Sequence, residues 1–272
     1  IAGKTGYLNV PFFLIRAAIY IGVWWMFQRG FRKRSLEEDL SGGISIHRKN
    51  VKMAAIFLII FGVTSSSSAW DWIMSIDAHW FSTMFGWYVF SGMWISAIIM
   101  IVLFTIYLKR KGYLQEVNES HLHDLGKWMF AISFLWTYLW FCQFMLIWYA
   151  NIPEEVTYFQ ARFNDYKWVM WTMFFINFSL PMLILMARDA KRNMDYLLWV
   201  GCIIFFTHWV DVYQMVMPGT VGTGWHFWNP LELGMFCGFL GLFLFVVHSS
   251  LAKAPLMVQK HPFLEECKHL HI

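Results

Sequence analysis

Of 272 residues, 58% are hydrophobic and only 14% charged, with a formal net charge of +4. A soluble domain of this length has no surface that could carry such a composition, so the bilayer is part of the solvent. The apolar runs are long and lack the apolar-out, polar-in alternation of outer-membrane strands, which excludes a β-barrel and leaves helices as the spanning elements.

In chain order, hydropathy predicts spans near 10–28, 51–72, 83–108, 127–150, 168–187, 195–217 and 229–250, followed by a tail over 251–272. Between them, basic segments alternate with segments poor in Lys and Arg. Arg29-Gly-Phe-Arg-Lys-Arg through Arg48-Lys49, Lys109-Arg110-Lys111, Arg188 with Lys191-Arg192, and the tail with Lys253, Lys260 and Lys268 are basic and are expected in the cytoplasm. Asp71 to Trp80 and Met217 to Pro230 hold no Lys or Arg, and the connection with Glu154-Glu155 carries only Arg162, plus Lys167 at the next helix. These are expected outside. The reading is a multi-pass protein of the bacterial inner membrane, with its start periplasmic and its C-terminus cytoplasmic. Ile1 with no cleavable signal suggests that residues upstream are missing, and a full-length protein beginning in the cytoplasm would then need an odd number of earlier spans.

Trp70, Trp72, Trp80, Trp148-Tyr149, Trp225 and Trp228 crowd the outer ends. They form either an aromatic belt at headgroup depth or the lining of a site for a flat lipophilic ring. Cys142, Cys202, Cys237 and Cys267 show no metal or haem-attachment spacing, so no metal site is expected of them.

Ionisable groups at bilayer depth are costly, and each is a functional candidate. His208 and Asp211, three residues apart, share one face of the sixth span, with Gln214 a turn further out. Ser65 to Ser68 lead to Asp71; this run can bend its helix, hydrate it or pack closely against a neighbour. Asp77 and His79 follow in the outer connection, Gln143 lies in the outer half of the fourth span, and His226 and Glu232 flank the start of the seventh. His208, Asp211, Asp71, Asp77 and His79 are therefore candidate ligand- or proton-handling residues, with Gln143, Gln214, Glu232 and His226 as candidate lining. Structural alternatives stand beside this: a His–Asp pair can be interhelical glue, the loop acids can be solvated, and Glu232 can complement a helix dipole. Arg16 is expected to snorkel outward or else to neutralise a buried acid. His121, His123 and Asp124 read as a solvated loop, and Glu265 to His271 as a mobile tail. A b-type haem would need two histidines at matching depth. His208 and His248 are offset by roughly 15 Å at 1.5 Å per residue, so neither haem nor a nucleotide or flavin site is expected.

Three stretches carry a resemblance. Ser-Ala-Trp-Asp71 with Asp77-Ala-His-Trp-Phe-Ser-Thr-Met-Phe-Gly86, then His123-Asp-Leu-Gly-Lys-Trp-Met-Phe-Ala131, then Phe141-Cys-Gln-Phe-Met-Leu-Ile-Trp-Tyr-Ala-Asn-Ile-Pro-Glu154 resemble the membrane subunits of bacterial alternative complex III. That complex is a quinol:cytochrome c oxidoreductase, and the subunits belong to the NrfD/polysulfide-reductase family of membrane anchors. The resemblance runs from about Ile44 to Pro255. It implies four-helix-bundle packing, roughly ten spans in the complete subunit, and no prosthetic group of its own. It also implies partners: a paralogous membrane subunit, an iron–sulfur subunit and multihaem cytochrome c subunits, with menaquinone or ubiquinone as substrate and no nucleic acid. Of the two paralogues, the fit is closer to the one the family does not associate with the quinol site, so proton conduction or scaffolding is as plausible here as quinol binding. A secondary transporter or channel, for which Pro181 is the main helix breaker, and a purely structural anchor are the alternatives.

Overall fold

The computed structural model describes residues 2–222 and 230–270. Among these, all regular structure is helical: α1 (Val10–Ser41), α2 (Ile44–Trp72), α3 (Met84–Arg110), α4 (Glu119–Ala150), α5 (Pro153–Asp165), α6 (Lys167–Ile184), α7 (Arg188–Arg192), α8 (Met194–Thr220), α9 (Pro230–Leu251) and α10 (Leu264–Lys268). Seven of them are long and apolar enough to cross a membrane: α1, α2, α3, α4, α6, α8 and α9. The expected all-α membrane architecture with about seven spans is what the chain adopts.

Several helix ends lie beyond the hydropathy limits. α1 continues through the basic stretch to Ser41, because charged residues there are good helix formers and the first Gly-Gly pair comes only at Gly42-Gly43, both at positive φ. α4 starts at Glu119 because Asn118 accepts from the amides of Ser120 and His121, while the His121 ring accepts from the Asn118 amide. His121 and His123 are therefore helical and not in a loop. The acidic connection 153–165 is itself a helix, α5. Pro153 opens it just after Asn151 ends α4 in the left-handed conformation.

Four helices, α3, α4, α6 and α8, close into a bundle in which each packs against two others, and α2 and then α1 flank it on the α3 side. The bundle core has two layers. Toward the end rich in Lys and Arg it is aliphatic, with Ile95, Ile99, Val102, Ile106, Met129, Leu197 and Ile204 buried together. Toward the opposite end it is aromatic, with Trp80, Phe85, Tyr88, Trp136, Trp140 and Phe159. α9 packs loosely on this bundle and buries no residue. It meets α3 and α8 through ring contacts such as Trp209–Phe236 and Phe104–His248, around a cavity of about 920 Å³ walled by Phe104, Phe205, Trp209, Tyr213, Phe236 and Phe239 among others.

The tail packs across the basic end and is not a free extension. Lys260 Nζ donates to the Leu40 carbonyl (2.6 Å) and the Gln259 amide to Asp39 Oδ1 (3.0 Å). Further along, Asn118 Nδ2 donates to the Leu270 carbonyl (2.9 Å), and His121 Nε2 lies 2.9 Å from the Cys267 carbonyl.

Candidate functional site

The polar groups sort into three arrangements at the aromatic half of the bundle. The first is a buried cluster on α3, α4 and α8. Asp211 is 2% exposed, and its Oδ1 accepts from the Tyr88 hydroxyl while Oδ2 accepts from Trp136 Nε1 at 3.0 Å. His208 sits one turn back on α8, edge-on to the Trp136 ring at 5.2 Å, with Nδ1 4.0 Å from Asp211 Oδ2. Neither nitrogen of the His208 ring has a hydrogen-bond partner, although the residue is only 4% exposed. An unpartnered buried imidazole is expensive, so water or a ligand is expected beside it. The space for one exists. A cavity of about 280 Å³ between α2, α3 and α8 is bounded by Ser68, Gly92, Ser96, His208, Asp211 and Met215. Gly92 lies against its His208 wall, where a Cβ would stand 3.9 Å from His208 Nδ1, an ordinary contact distance.

The second arrangement surrounds Arg162, between Asp211 and the α2–α3 turn. Arg162 on α5 is buried, stacks on the Tyr158 ring at 3.3 Å, and donates to the carbonyls of Tyr158 (2.7 Å) and Met215 (3.2 Å). No carboxylate lies within ion-pair distance of it among the described residues. Burial pulls its pKa down, and the Tyr158 hydroxyl and more distant acids, Asp77 among them, oppose that. Arg162 borders two voids. One, about 10 Å³, touches Tyr88, Asp211 and Gln214, which is near the lower limit for one water. The other, about 70 Å³, is lined by Asp77, Trp80, Thr157 and Gly219. Gln214, buried with both amide atoms unpartnered, faces the first of these.

The third arrangement is an ion pair. Arg16 Nε and Nη2 donate to Asp71 at 2.7 and 2.9 Å, and the Tyr20 hydroxyl adds a third bond at 2.9 Å. Arg16 Nη1 reaches the Tyr7 carbonyl, and its guanidinium lies over the Tyr7 and Phe12 rings. The expectation that Arg16 snorkels is therefore corrected: it is 7% exposed and neutralises Asp71 instead. Both Asp71 oxygens are engaged toward α1, away from the His208 cavity.

The other candidates fall differently. Asp77 Oδ1 receives the amides of His79 and Trp80 in a tight turn while lining the 70 Å³ void, and His79 is exposed. Gln143 is buried on α4 with Nε2 unpartnered. Glu232 is half-buried at the wall of the α9 cavity, apart from the His208 cluster. His226 lies outside the described residues, as do Trp225 and Trp228. The serine run packs closely: all four hydroxyls bond back to carbonyls three or four residues earlier, and a Cβ on Gly86 would come within 3.1 Å of Ser66 Cα. Trp80 is buried, stacked on Tyr158 at 4.1 Å with Nε1 on the Glu155 carbonyl (3.1 Å), so it belongs to the core and not to a belt. Trp148 and Tyr149 are exposed, as a belt requires. His248 touches Phe104 and Tyr107, twelve or more residues along α3 from Gly92, which is about 18 Å from the level of His208.

Sequence reasoning passed over Tyr88, Trp136 and Arg162. The first two read as ordinary apolar aromatics within spans, and Arg162 counted only toward loop charge. The usable signal was spacing: Arg162 falls on the same face of α5 as Tyr158 and Phe159, the face that the helix buries.

The fold and this site define an all-α integral membrane protein with a buried polar centre inside its helix bundle. No family model matches the sequence, and no curated protein matches it significantly.

Proposed function

We propose that this chain is a membrane subunit of a quinol-oxidising respiratory complex of the alternative complex III type, and that the His208–Asp211 cluster receives protons released by the quinol. The likeness rests on three motifs, of which two border the site and the third, His123 to Ala131, lies at the basic end of α4. Asp77-to-Gly86 forms the α2–α3 turn beside Arg162, and Phe141-to-Glu154 carries Gln143 and turns into α5. The carrying observation is the His208 ring, buried, unpartnered and facing a 280 Å³ cavity next to a carboxylate. That volume suits a single aromatic headgroup, just under the usual range for small-molecule pockets. Oxidation of a quinol passes two electrons to iron–sulfur and haem c centres in partner subunits and frees two protons. His208 takes one and the Asp211 carboxylate the other, and the route past Arg162 to Asp77 leads to the aromatic end, which the loop charges favour as the periplasmic one.

The test is His208→Ala with Asp211→Asn in the intact complex. Asn at 211 can accept from Trp136 Nε1 through Oδ1 and donate to the Tyr88 hydroxyl through Nδ2, so assembly is retained. Quinol:cytochrome c turnover is expected to fall by roughly 10²-fold or more, the scale of a positioned acid–base group. Unchanged turnover and proton release would falsify the assignment.

A scaffolding role is favoured by one specific feature: Asp211 is already satisfied by Tyr88 and Trp136, and so ties α3, α4 and α8 together. On that reading Asp211→Asn is silent and only Asp211→Leu impairs assembly. The transporter reading draws less support, because α3, α4 and α8 pass the site as continuous helices, and Pro218 of α8 sits in its last turn.

A further inference from the structure

At the basic end, far from the His208 cluster, three side chains from separate segments converge: Glu38 near the end of α1, His47 in the first turn of α2, and His261 in the tail. One ligand atom from each lies within 4.8 Å of the other two. Glu38 is 5% exposed, its Oε1 has no hydrogen-bond partner, and no Lys, Arg or His comes within ion-pair distance of its carboxylate among the described residues. A buried, uncompensated carboxylate is unfavourable by several kcal/mol. The missing partner is a cation, and two imidazoles stand where its other ligands belong.

We propose that Glu38, His47 and His261 bind a divalent transition-metal ion of the zinc type, which fastens the tail to the α1–α2 turn. Two imidazole nitrogens and one carboxylate oxygen are a donor set that zinc favours over magnesium or calcium. Ligand atoms about 2.1 Å from a tetrahedral ion lie roughly 3.4 Å apart, so the three close by about 1 Å on binding. His47 and His261 are half-buried, which leaves the fourth position open to water. The approach of His261 is already set by its neighbours. The Gln259 amide is held by Asp39 Oδ1, and Lys260 Nζ by the Leu40 carbonyl, so residues 259–261 lie across the turn without the ion. The rings of His47 and His261 meet edge-on at 5.2 Å, and Phe263 packs against both. The one polar contact to the His261 ring, from the Phe263 amide to Nδ1, is long at 3.3 Å and easily surrendered. Because the ligands must be deprotonated to bind, the ion is released on acidification.

The full chain, purified in detergent and stripped with a chelator, is titrated with zinc and read two ways: bound zinc per chain after desalting, and trypsin cleavage at Lys253, Lys260 and Lys268. One zinc per chain is expected, with tail cleavage slowed at least tenfold. His261→Ala, a tail substitution that leaves the bundle untouched, is expected to lose both effects, and Glu38→Gln to weaken binding at least tenfold. Substoichiometric zinc in the wild-type chain overturns the proposal. So does equal binding by His261→Ala, which would place the zinc on other histidines.

Discussion

Replacing Arg16 by Met tests whether the Arg16–Asp71 pair is the fastening between α1 and α2. Asp71 has a side chain 1% exposed and three donors, two of them from Arg16 at 2.7 and 2.9 Å. Arg16→Met removes the countercharge and both bonds, leaving a buried carboxylate with only the Tyr20 hydroxyl. Breaking one partner of a buried pair costs about 3–5 kcal/mol. Asp71→Asn strands the guanidinium instead, at a similar cost. Removing both together relieves the stranded charge, so the double variant is expected to lose much less than the sum, with a coupling of at least about 2 kcal/mol. The assay is the unfolding midpoint in mixed micelles of SDS and a mild detergent, followed by tryptophan fluorescence. Additive losses, or single variants within about 0.5 kcal/mol of wild type, would refute the reasoning and return Arg16 to a snorkelling role. The same double variant separates structure from function: with the charges gone, retained turnover shows that Asp71 is not in the proton route.

Gly86→Ala places a Cβ about 3.0 Å from Ser66 Cβ and 3.1 Å from its Cα. The expected destabilisation of about 1–3 kcal/mol is partly relieved by Ser66→Gly, and an unfolding midpoint equal to wild type would contradict the close α2–α3 packing. Arg162→Lys keeps the charge but loses the planar stack on Tyr158 and the reach to the Met215 carbonyl. It is expected to destabilise the protein by roughly 1–3 kcal/mol and to slow proton release more than quinol binding, and a variant matching wild type in both respects would remove Arg162 from the proposed route.

What could be read in advance was what depends on composition summed over a whole turn or more. Seven apolar stretches are each long and apolar enough to cross a bilayer, so the spans were evident, and the pairing of His208 with Asp211 followed from helical spacing alone. Choices between partners were not evident, because they depend on which helices become neighbours. Arg16 could have faced lipid or any of several acids, and only the packing of α1 against α2 brings it to Asp71. The same holds for Tyr88 and Trp136, whose polar atoms turn inward to Asp211 while similar residues such as Trp87 and Trp148 remain exposed. Short amphipathic elements escaped as well. α5 is too short and too polar to register as a span, and the folded tail is held by side-chain bonds to main-chain carbonyls, which leave no periodic trace.

The layering of the bundle limits what the proposed proton chemistry can achieve within this chain. From Ile95 to Ile106 the buried face of α3 is aliphatic for eleven residues, about 16 Å at the helical rise. Met129 and Ile132 of α4 and Leu197, Val200 and Ile204 of α8 close the same layer. Buried polar groups border that layer: Ser133, Thr207 and Asn177 on the His208 side, and His123 and Lys191 toward the basic end. A proton reaching His208 meets, toward the basic end, this aliphatic layer, in which a bare charge is penalised by several kcal/mol. Toward the aromatic end it meets Asp211, a gap of water size, Arg162 and Asp77. The gradient runs one way. On the proposed reading this chain couples oxidation to charge separation by releasing quinol protons at the aromatic end.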